Sequence, residues 1–549
     1  VLKGLIPLNV GVTGHRDVVA EDRDAIEIHV RSFFNDLRRR YPNTPVRVYS
    51  GLAVGTDQFV AEIVLDMGIE LIAIVPAPTE IYLEEFVTEA EIGEFHSLVE
   101  RSTKTLEIPV VGEIPADAFL HERYRKRQHV ALGHFLCDRS QILLALWDGT
   151  DNRLDGGTAW VVNQKLEGGE RGGAERIDLP ESGTVFHIPI RRQSTEAEAE
   201  PPSDPPSYLL HSGEHLEGYL AAFEEIESYN ARLIRRAGHT TESQAKAPSA
   251  ESQTLAEVYA TADGIAMHYQ RAVLINRRVM LSCALVMFVS YLVYSNFSDS
   301  FPVILTYFVA LAAGAAVWLR MSRERLYKNY LDCRALAEAL RVQEAWSSCG
   351  LRLSAVDYYL RKHHNELRWI RMALRCFSSD EDLLAAERER KPSEPSRPLG
   401  PIVADAIKAA WIEPQISYFR RAETKRRNKR ALVERSATTL YGCGLACAAA
   451  SLVISRGPLE ETTLGHTLII LMGGLPGLAG IMLGYANNAG WEEEANEFAH
   501  MYSVFARAEL LWDTVPHDVL LAEIGKEALR NNGEWLSVHS ARRIEAPKL

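Results

Sequence analysis

The sequence predicts an α/β fold with a Rossmann-like, doubly wound parallel sheet, followed by an all-α membrane region with four transmembrane helices in two pairs. Three observations carry this reading. Residues 1–192 alternate short apolar runs with amphipathic stretches, the pattern of a parallel sheet wound with helices. Four later windows, about 279–294, 303–319, 437–454 and 466–485, contain no Asp, Glu, Lys or Arg, and their lengths approach what a bilayer requires. These windows come in pairs with basic flanks, which favours membrane spans over buried helices of a large soluble core. Averages conceal the segregation: over 549 residues 24% are charged and mean hydropathy is only -0.11.

Strands are expected at 7–12, 45–50, 70–75, 141–147 and 184–190, with helices at 22–40, 56–67, 87–101, 121–137 and 158–166 between and after them. Residues 193–213 collect Glu, Ser and Pro201, Pro202, Pro205 and Pro206, too polar to bury a core, and are read as a linker. A helix at 214–237 and a polar stretch follow. The chain therefore divides into an α/β domain at 1–192, a linker with a helix at 193–255 and a first two-helix membrane unit at 256–350. A connector at 351–402, a second two-helix unit at 403–515 and a C-terminal tail at 516–549 complete it. Amphipathic helices at 320–346 and 486–512 are expected to continue out of the spans. At one fixed offset they superpose Arg341 on Arg507 and Trp346 on Trp512, which suggests an architectural duplication.

Lys and Arg near a span resist translocation. Arg277 and Arg278 precede the first window, Arg320 follows the second, and Lys425, Arg426, Arg427, Lys429, Arg430 and Arg435 precede the third. The loop 295–302 has no Lys or Arg and 455–465 has only Arg456, so a multi-pass membrane protein with both termini cytoplasmic is expected. The opening strand-like run predicts no cleavable signal peptide. Gly473, Gly477, Gly480 and Gly484 give the last span small-residue spacings for close helix approach, and Pro476 lies among them. The spans lack Asp, Glu, Lys and Arg, which argues against a proton relay or voltage sensor. A net charge of -13 removes the basic footprint of a general nucleic-acid binder. The seven cysteines have no spacing that implies a metal site or disulfide framework.

In an open parallel sheet, ligands bind beyond the carboxyl ends of the strands, where loops enter helix N-termini with unsatisfied N–H groups. Four loops there carry the residue types that hold a phosphate. They are Thr13-Gly14-His15-Arg16 after the first strand, Ser50-Gly51 through Gly55, Thr56 and Asp57 after the second, Pro76 after the third, and Asp148-Gly149 after the fourth, continuing to Gly156-Gly157-Thr158. Glycine lets a phosphate approach the backbone, and Thr and Ser add hydroxyl donors. Arg16 is the better anion partner, being permanently charged and bidentate. His15 suits a phosphate contact, a base or a turn cap; Asp57 and Asp148 suit a ribose hydroxyl or a helix cap. Among Arg123, Arg125, Lys126 and Arg127, a solvated helix face competes with one side chain reaching a phosphate.

The stretch Ser50-Gly51-Leu52-Ala53 through Asp57 resembles the signature of DNA-processing protein A. The stretch from Gln128 through Trp147-Asp148-Gly149 to Gly156-Gly157-Thr158 is similar to the wider SLOG superfamily, which includes Lonely Guy phosphoribohydrolases and the N-terminal region of melastatin-type TRP channels. The rest resembles SLATT-type two-helix membrane effectors by architecture. The resemblance implies a nucleotide-sensing effector of bacterial antiphage or conflict defence that permeabilises the inner membrane; four uncharged spans are too few to enclose an aqueous path, so a homo-oligomer is expected. Its expected partners are a nucleotide signal and the lipid bilayer, with no nucleic acid; beyond the nucleotide-derived ligand, no cofactor is expected. The alternative is a membrane-anchored nucleotide N-glycosidase. Against it, Thr158 is followed by Ala159, Trp160, Val161 and Val162, with no acid until Glu167, whereas glycosidic cleavage wants a carboxylate.

Overall fold

The computed structural model describes residues 3–109, 122–151, 154–168, 182–194, 204–238, 254–296, 300–351, 353–359, 367–377, 401–454 and 463–541. The chain forms two compact units, Val1–Ala262 with Leu336–Pro398, and Asp263–Ala335 with Leu399–Leu549.

The first unit is built on a sheet of β1 (Leu8–Gly14), β2 (Val46–Ser50), β3 (Glu70–Val75), β4 (Lys104–Glu107), β5 (Ile142–Trp147), β6 (Thr184–Pro189) and β7 (Ser207–Leu209). Their order is β4-β3-β2-β1-β5-β6-β7. Neighbours are parallel except β6 and β7. The central strands are apolar because both faces are covered; Val10, Val12, Leu71, Ile142 and Leu144 are fully buried. Two strands were not expected from the sequence. β4 (Lys-Thr-Leu-Glu) and β7 (Ser-Tyr-Leu) are short and partly polar, and backbone pairing at an existing edge creates them where no alternation marks them. β7 lies inside the stretch read as a linker.

Helices α1 (Arg23–Arg40), α2 (Thr56–Asp66), α3 (Thr79–Tyr82), α4 (Glu89–Arg101), α5 (Glu122–Arg139) and α6 (Thr158–Glu167) connect or follow the strands. α4 starts with a capping box in which Thr88 and Glu91 satisfy each other's backbone amides. From β1 to β4 the chain steps outward in one direction, then returns to place β5 on the other side of β1. Right-handed crossovers then put α1, α2 and α4 on one face and α5 and α6 on the other. The point where the direction reverses lies between β1 and β5.

At the amino ends of the strands, α7 (Leu216–Arg236) clamps the chain through Asn230, whose Oδ1 accepts from the Ile6 amide at 2.9 Å and whose Nδ2 donates to the Ile6 carbonyl at 2.8 Å. Following the long helices α8 (Leu255–Asn296), α9 (Phe301–Arg323) and α10 (Leu326–Ser348), the short α11 (Ala355–Tyr358) and α12 (Arg368–Phe377) return to this edge. Cys376 meets Asn9 and Gln141, and Arg139 donates to the Arg375 carbonyl. The stretch read as a connector thus supplies a buried helix, since Trp369, Ile370 and Leu374 are 2% exposed or less.

Among the described residues, four helices that lie wholly or mostly in the second unit are long and apolar enough to cross a membrane. They contain all four windows noted above, and the later two belong to Glu413–Ile454 and Thr463–Ala489. The loop tips 297–299 and 455–462 lie outside the described residues. Gly444 takes the Pro476 ring, where an added Cβ would come within 2.7 Å; Gly477 takes Phe288 at 2.5 Å and Gly474 takes Leu292 at 3.0 Å. Gly473 and Gly484 meet nothing within 4 Å. The close approach therefore uses Gly474 and Gly477, one helix turn apart, and not the full spacing read from the sequence. The exiting helices are also not continuous. Glu324–Arg325 interrupts the first, with Arg325 at φ 47, and Gly490 at φ 68 interrupts the second. These breaks lie within one residue of the offset relating Arg341 to Arg507.

Candidate functional site

Leaving the closed amino edge, β1 and β5 deliver their loops to the opposite edge, astride the reversal point where an open α/β sheet forms its crevice. The amide of His15 donates to the Leu146 carbonyl at 3.2 Å, tying the β1 loop to β5. His15 is buried, and its Nε2 lies 3.0 Å from Oδ1 of Asp148, close enough for an ion pair but without hydrogen-bond alignment. Asp148 Oδ1 also accepts from the Thr150 amide at 3.0 Å, and Arg192 lies 3.8 Å from Oδ2. Burial works to raise the Asp148 pKa, but the hydrogen bonding of Thr150 and the nearby His15 ring outweigh it, so the carboxyl sits below its ordinary value.

The β2 loop closes against the β1 loop. Thr56 donates to the His15 carbonyl from both its amide, at 3.2 Å, and its hydroxyl, at 3.0 Å. A Cβ on Gly14 would lie 2.2 Å from that hydroxyl, and one on Gly55, at φ 98, would lie 2.3 Å from the Arg16 carbonyl oxygen. These two glycines are therefore required by the contact between the loops themselves. Thr13 is buried beside them in β1, opposite Ala145. Ser50 Oγ accepts from the Leu52 amide at 3.2 Å, bending the chain so that Leu52 adopts φ 51. The carbonyl of Gly51 accepts from the Tyr82 hydroxyl at 3.2 Å.

Around Arg16 is a cluster that the sequence did not reveal. Arg16 Nη2 donates to Glu85 Oε2 at 2.8 Å; His129 Nε2 is 3.0 Å and Arg125 Nε 3.8 Å from Glu85 Oε1. Burial would raise the Glu85 pKa, but His129 and Arg16 overcome it and bring it to about 2. Gly156, at φ 80, packs against His129 and the Val130 amide, each 3.0 Å from a Cβ placed there. Gln128 donates to the Pro76 carbonyl at 2.6 Å. A continuous set of contacts thus runs from Gly156 through His129, Glu85 and Arg16 to Gly55. Nothing in the spacing of Glu84-Glu85 or Gln128-His129 marks these residues; α5 and the loop after β3 meet only in three dimensions.

Asp57, in the first turn of α2, is buried. Its pKa is raised to about 7 by burial, against the opposing pull of Arg16 and a hydrogen bond from the Ala53 backbone, and its Oδ1 has no hydrogen-bond partner among the described residues. Gly157 is the N-cap of α6 with no side-chain cap, and buried Thr158 begins the helix. Of the basic face on α5, Arg125 reaches Glu85 and Lys126 pairs with Asp155 at 2.8 Å; the Arg123 side chain lies outside the described residues. Among the described residues, no group of three or more His, Cys, Asp or Glu is arranged to hold a metal.

The site is thus a glycine-lined sheet edge with one half-exposed guanidinium, buried carboxyl groups and an uncapped helix start. No protein-family profile matches this chain, and no curated protein matches it in sequence.

Proposed function

We propose that the protein is a membrane-embedded effector whose α/β unit senses a nucleotide-derived signal at this edge and gates membrane permeabilisation. The observation that supports this most is the meeting of His15 and Asp148 across the β1/β5 reversal, with Arg16 beside them and the start of α6 behind the β5 loop. Arg16 supplies a permanent charge and α6 supplies amides for phosphate, while Asp148 suits a ribose hydroxyl. The SLOG and SLATT resemblances favour the same reading, with a role in bacterial antiphage or conflict defence. In this reading both termini are cytoplasmic, and several copies assemble, because four uncharged spans are too few to enclose an aqueous path. Moving a gate from mostly closed to mostly open requires about 10⁴-fold tighter binding to the open form, about 5.5 kcal/mol, which an oligomer shares among its sites.

The full-length protein in dye-loaded liposomes tests this with a panel of NAD, ADP-ribose derivatives and cyclic oligonucleotides. One of them causes leakage, and Gly157→Val abolishes it while lowering affinity more than tenfold. Gly157 sits at φ -80 and ψ 170, a backbone conformation open to β-branched residues, and circular dichroism of the variant checks that it folds. Leakage and binding unchanged in the folded variant would refute the site. The anchored-enzyme reading draws on Asp57, a buried carboxyl that titrates near neutrality, as a general acid or base requires. Nucleotide turnover with intact liposomes, abolished by Asp57→Asn, would establish it instead.

A further inference from the structure

On the second unit, helix Glu413–Ile454 carries a dense run of cations between Arg420 and Arg430. These cations fall into two sets. Arg426 pairs with Glu494, Arg427 with Glu423 at 2.8 Å, and Arg430 with Glu434 and Glu492. Arg420, Arg421, Lys425 and Lys429 instead line one groove of about 640 Å³, with Leu432 at its end, and have no carboxylate partner among the described residues. Arg421, Lys425 and Lys429 recur every four residues, the spacing at which like charges on a helix repel. Burial and the neighbouring Arg426, Lys425 and Arg278 hold the Lys429 pKa below its ordinary value, with Glu494 opposing them. A chain with a net charge of -13 has acids to spare, yet among the described residues none forms an ion pair with the cations of this groove.

Its level along the spans is set by independent contacts. Lys429 Nζ stands 5.8 Å from the centroid of Trp491, which packs edge-on against Tyr485 at 5.8 Å. Arg430 donates to Asn487 at 2.6 Å. Tyr485 closes the last apolar window, Arg278 immediately precedes the first, and Lys429 lies eight residues before the third, about 12 Å of helix. Trp and Tyr prefer the membrane–water interface. One end of the groove is therefore at headgroup depth, and Leu432, 67% exposed, leads from the cations toward the apolar windows.

We infer that this groove binds the phosphate headgroup of an anionic phospholipid, with Lys425 and Lys429 on the phosphate and Leu432 against the start of an acyl chain. The inference is independent of the nucleotide site. The test uses the full chain in neutral detergent and reads thermal stabilisation by dihexanoyl phosphatidylglycerol, dihexanoyl phosphatidylcholine and glycerol 3-phosphate. Phosphatidylglycerol half-saturates at a concentration at least tenfold below the other two. The triple variant Arg421→Gln, Lys425→Gln, Lys429→Gln loses that preference, and its lipid-free melting temperature rises because the repulsion is gone. Arg427→Gln, at a paired position on the same helix, retains the preference. Should the triple variant fail to fold, Lys425→Gln alone weakens phosphatidylglycerol at least threefold, and native mass spectrometry counts fewer retained lipids. Equal responses to the two lipids, a glycerol 3-phosphate response matching the anionic lipid, or an unaltered preference in the folded variants would each overturn the proposal.

Discussion

Val10, Val12 and Leu144 in the sheet and Val289, Phe308 and Leu445 in the long helices have similar side chains and opposite fates. The first three are fully buried by their own chain, whereas the others are 55%, 57% and 73% exposed. Within the apolar windows of the four long helices only 6–11% of residues are buried. Exposed apolar surface on this scale, arranged along helices of spanning length, calls for a second apolar phase, the bilayer. Polar groups divide the other way. Buried ionisable groups gather at the sheet edge, where Glu85 is 3% exposed, while Arg320 and Glu324 beside a span form a pair that is 67% and 47% exposed. One region places charge inside and the other places apolar surface outside, and each choice has a measurable cost.

The largest effect is expected where the sheet edge is tightest. Gly55→Val forces a side chain against the Arg16 backbone at φ 98 and should cost about 4 kcal/mol or more. Gly149→Ala, at φ 82 with nothing within 4 Å, should cost only about 1 kcal/mol. Hydrogen exchange of β1 and β2 amides in the full chain reads both, and similar losses for the two would mean that the loop contact is not what demands glycine.

Next comes a matched pair of exposed apolar positions. Val289→Lys, within the first window, should reduce membrane insertion by about 3 kcal/mol, while Ile28→Lys on α1, exposed at 67%, should change nothing. The carbonate-resistant fraction of each variant measures this. Equal insertion would remove the membrane reading of that helix.

A smaller effect concerns the charges. Glu85 has a folded pKa of about 2, below its unfolded value of about 4.3. Its contribution is therefore complete above the unfolded value and is lost as pH falls from about 4 toward 2. Glu85→Gln should cost on the order of 2 kcal/mol at pH 7 and flatten that acid limb. Glu324→Gln should cost about 0.5 kcal/mol or less. Asp57, raised to about 7, acts with the opposite sign. Its burial penalises the fold above pH 7, the penalty fades as pH falls toward about 4, and Asp57→Asn should remove that slope. Unfolding titrations across pH separate the three, and an acid limb unchanged by Glu85→Gln would show that the cation cluster does not stabilise it.

Much of the architecture was legible because it repeats a pattern over many residues. Five strands, the helices of the α/β region other than α3, and four apolar windows each follow from periodicity or from the absence of charge, which are local properties of the chain. The glycine loops were legible for the same reason, as each joins a strand to a helix and announces its own turn. What the tertiary structure decided has no local signal. β4 and β7 exist because an edge of unpaired backbone was waiting; α12 is buried because the amino edge of the sheet needed a cover. Gly474 was preferred to Gly473 by the rotation of one helix against Phe288 and Leu292, and the exit helices break where Arg325 and Gly490 reach positive φ. Glu85 meets Arg16 across 69 residues and His129 across 44. Periodicity carries information only along the chain, and a carboxylate shared by two guanidinium groups and an imidazole is defined by directions in space, which only the folded backbone supplies.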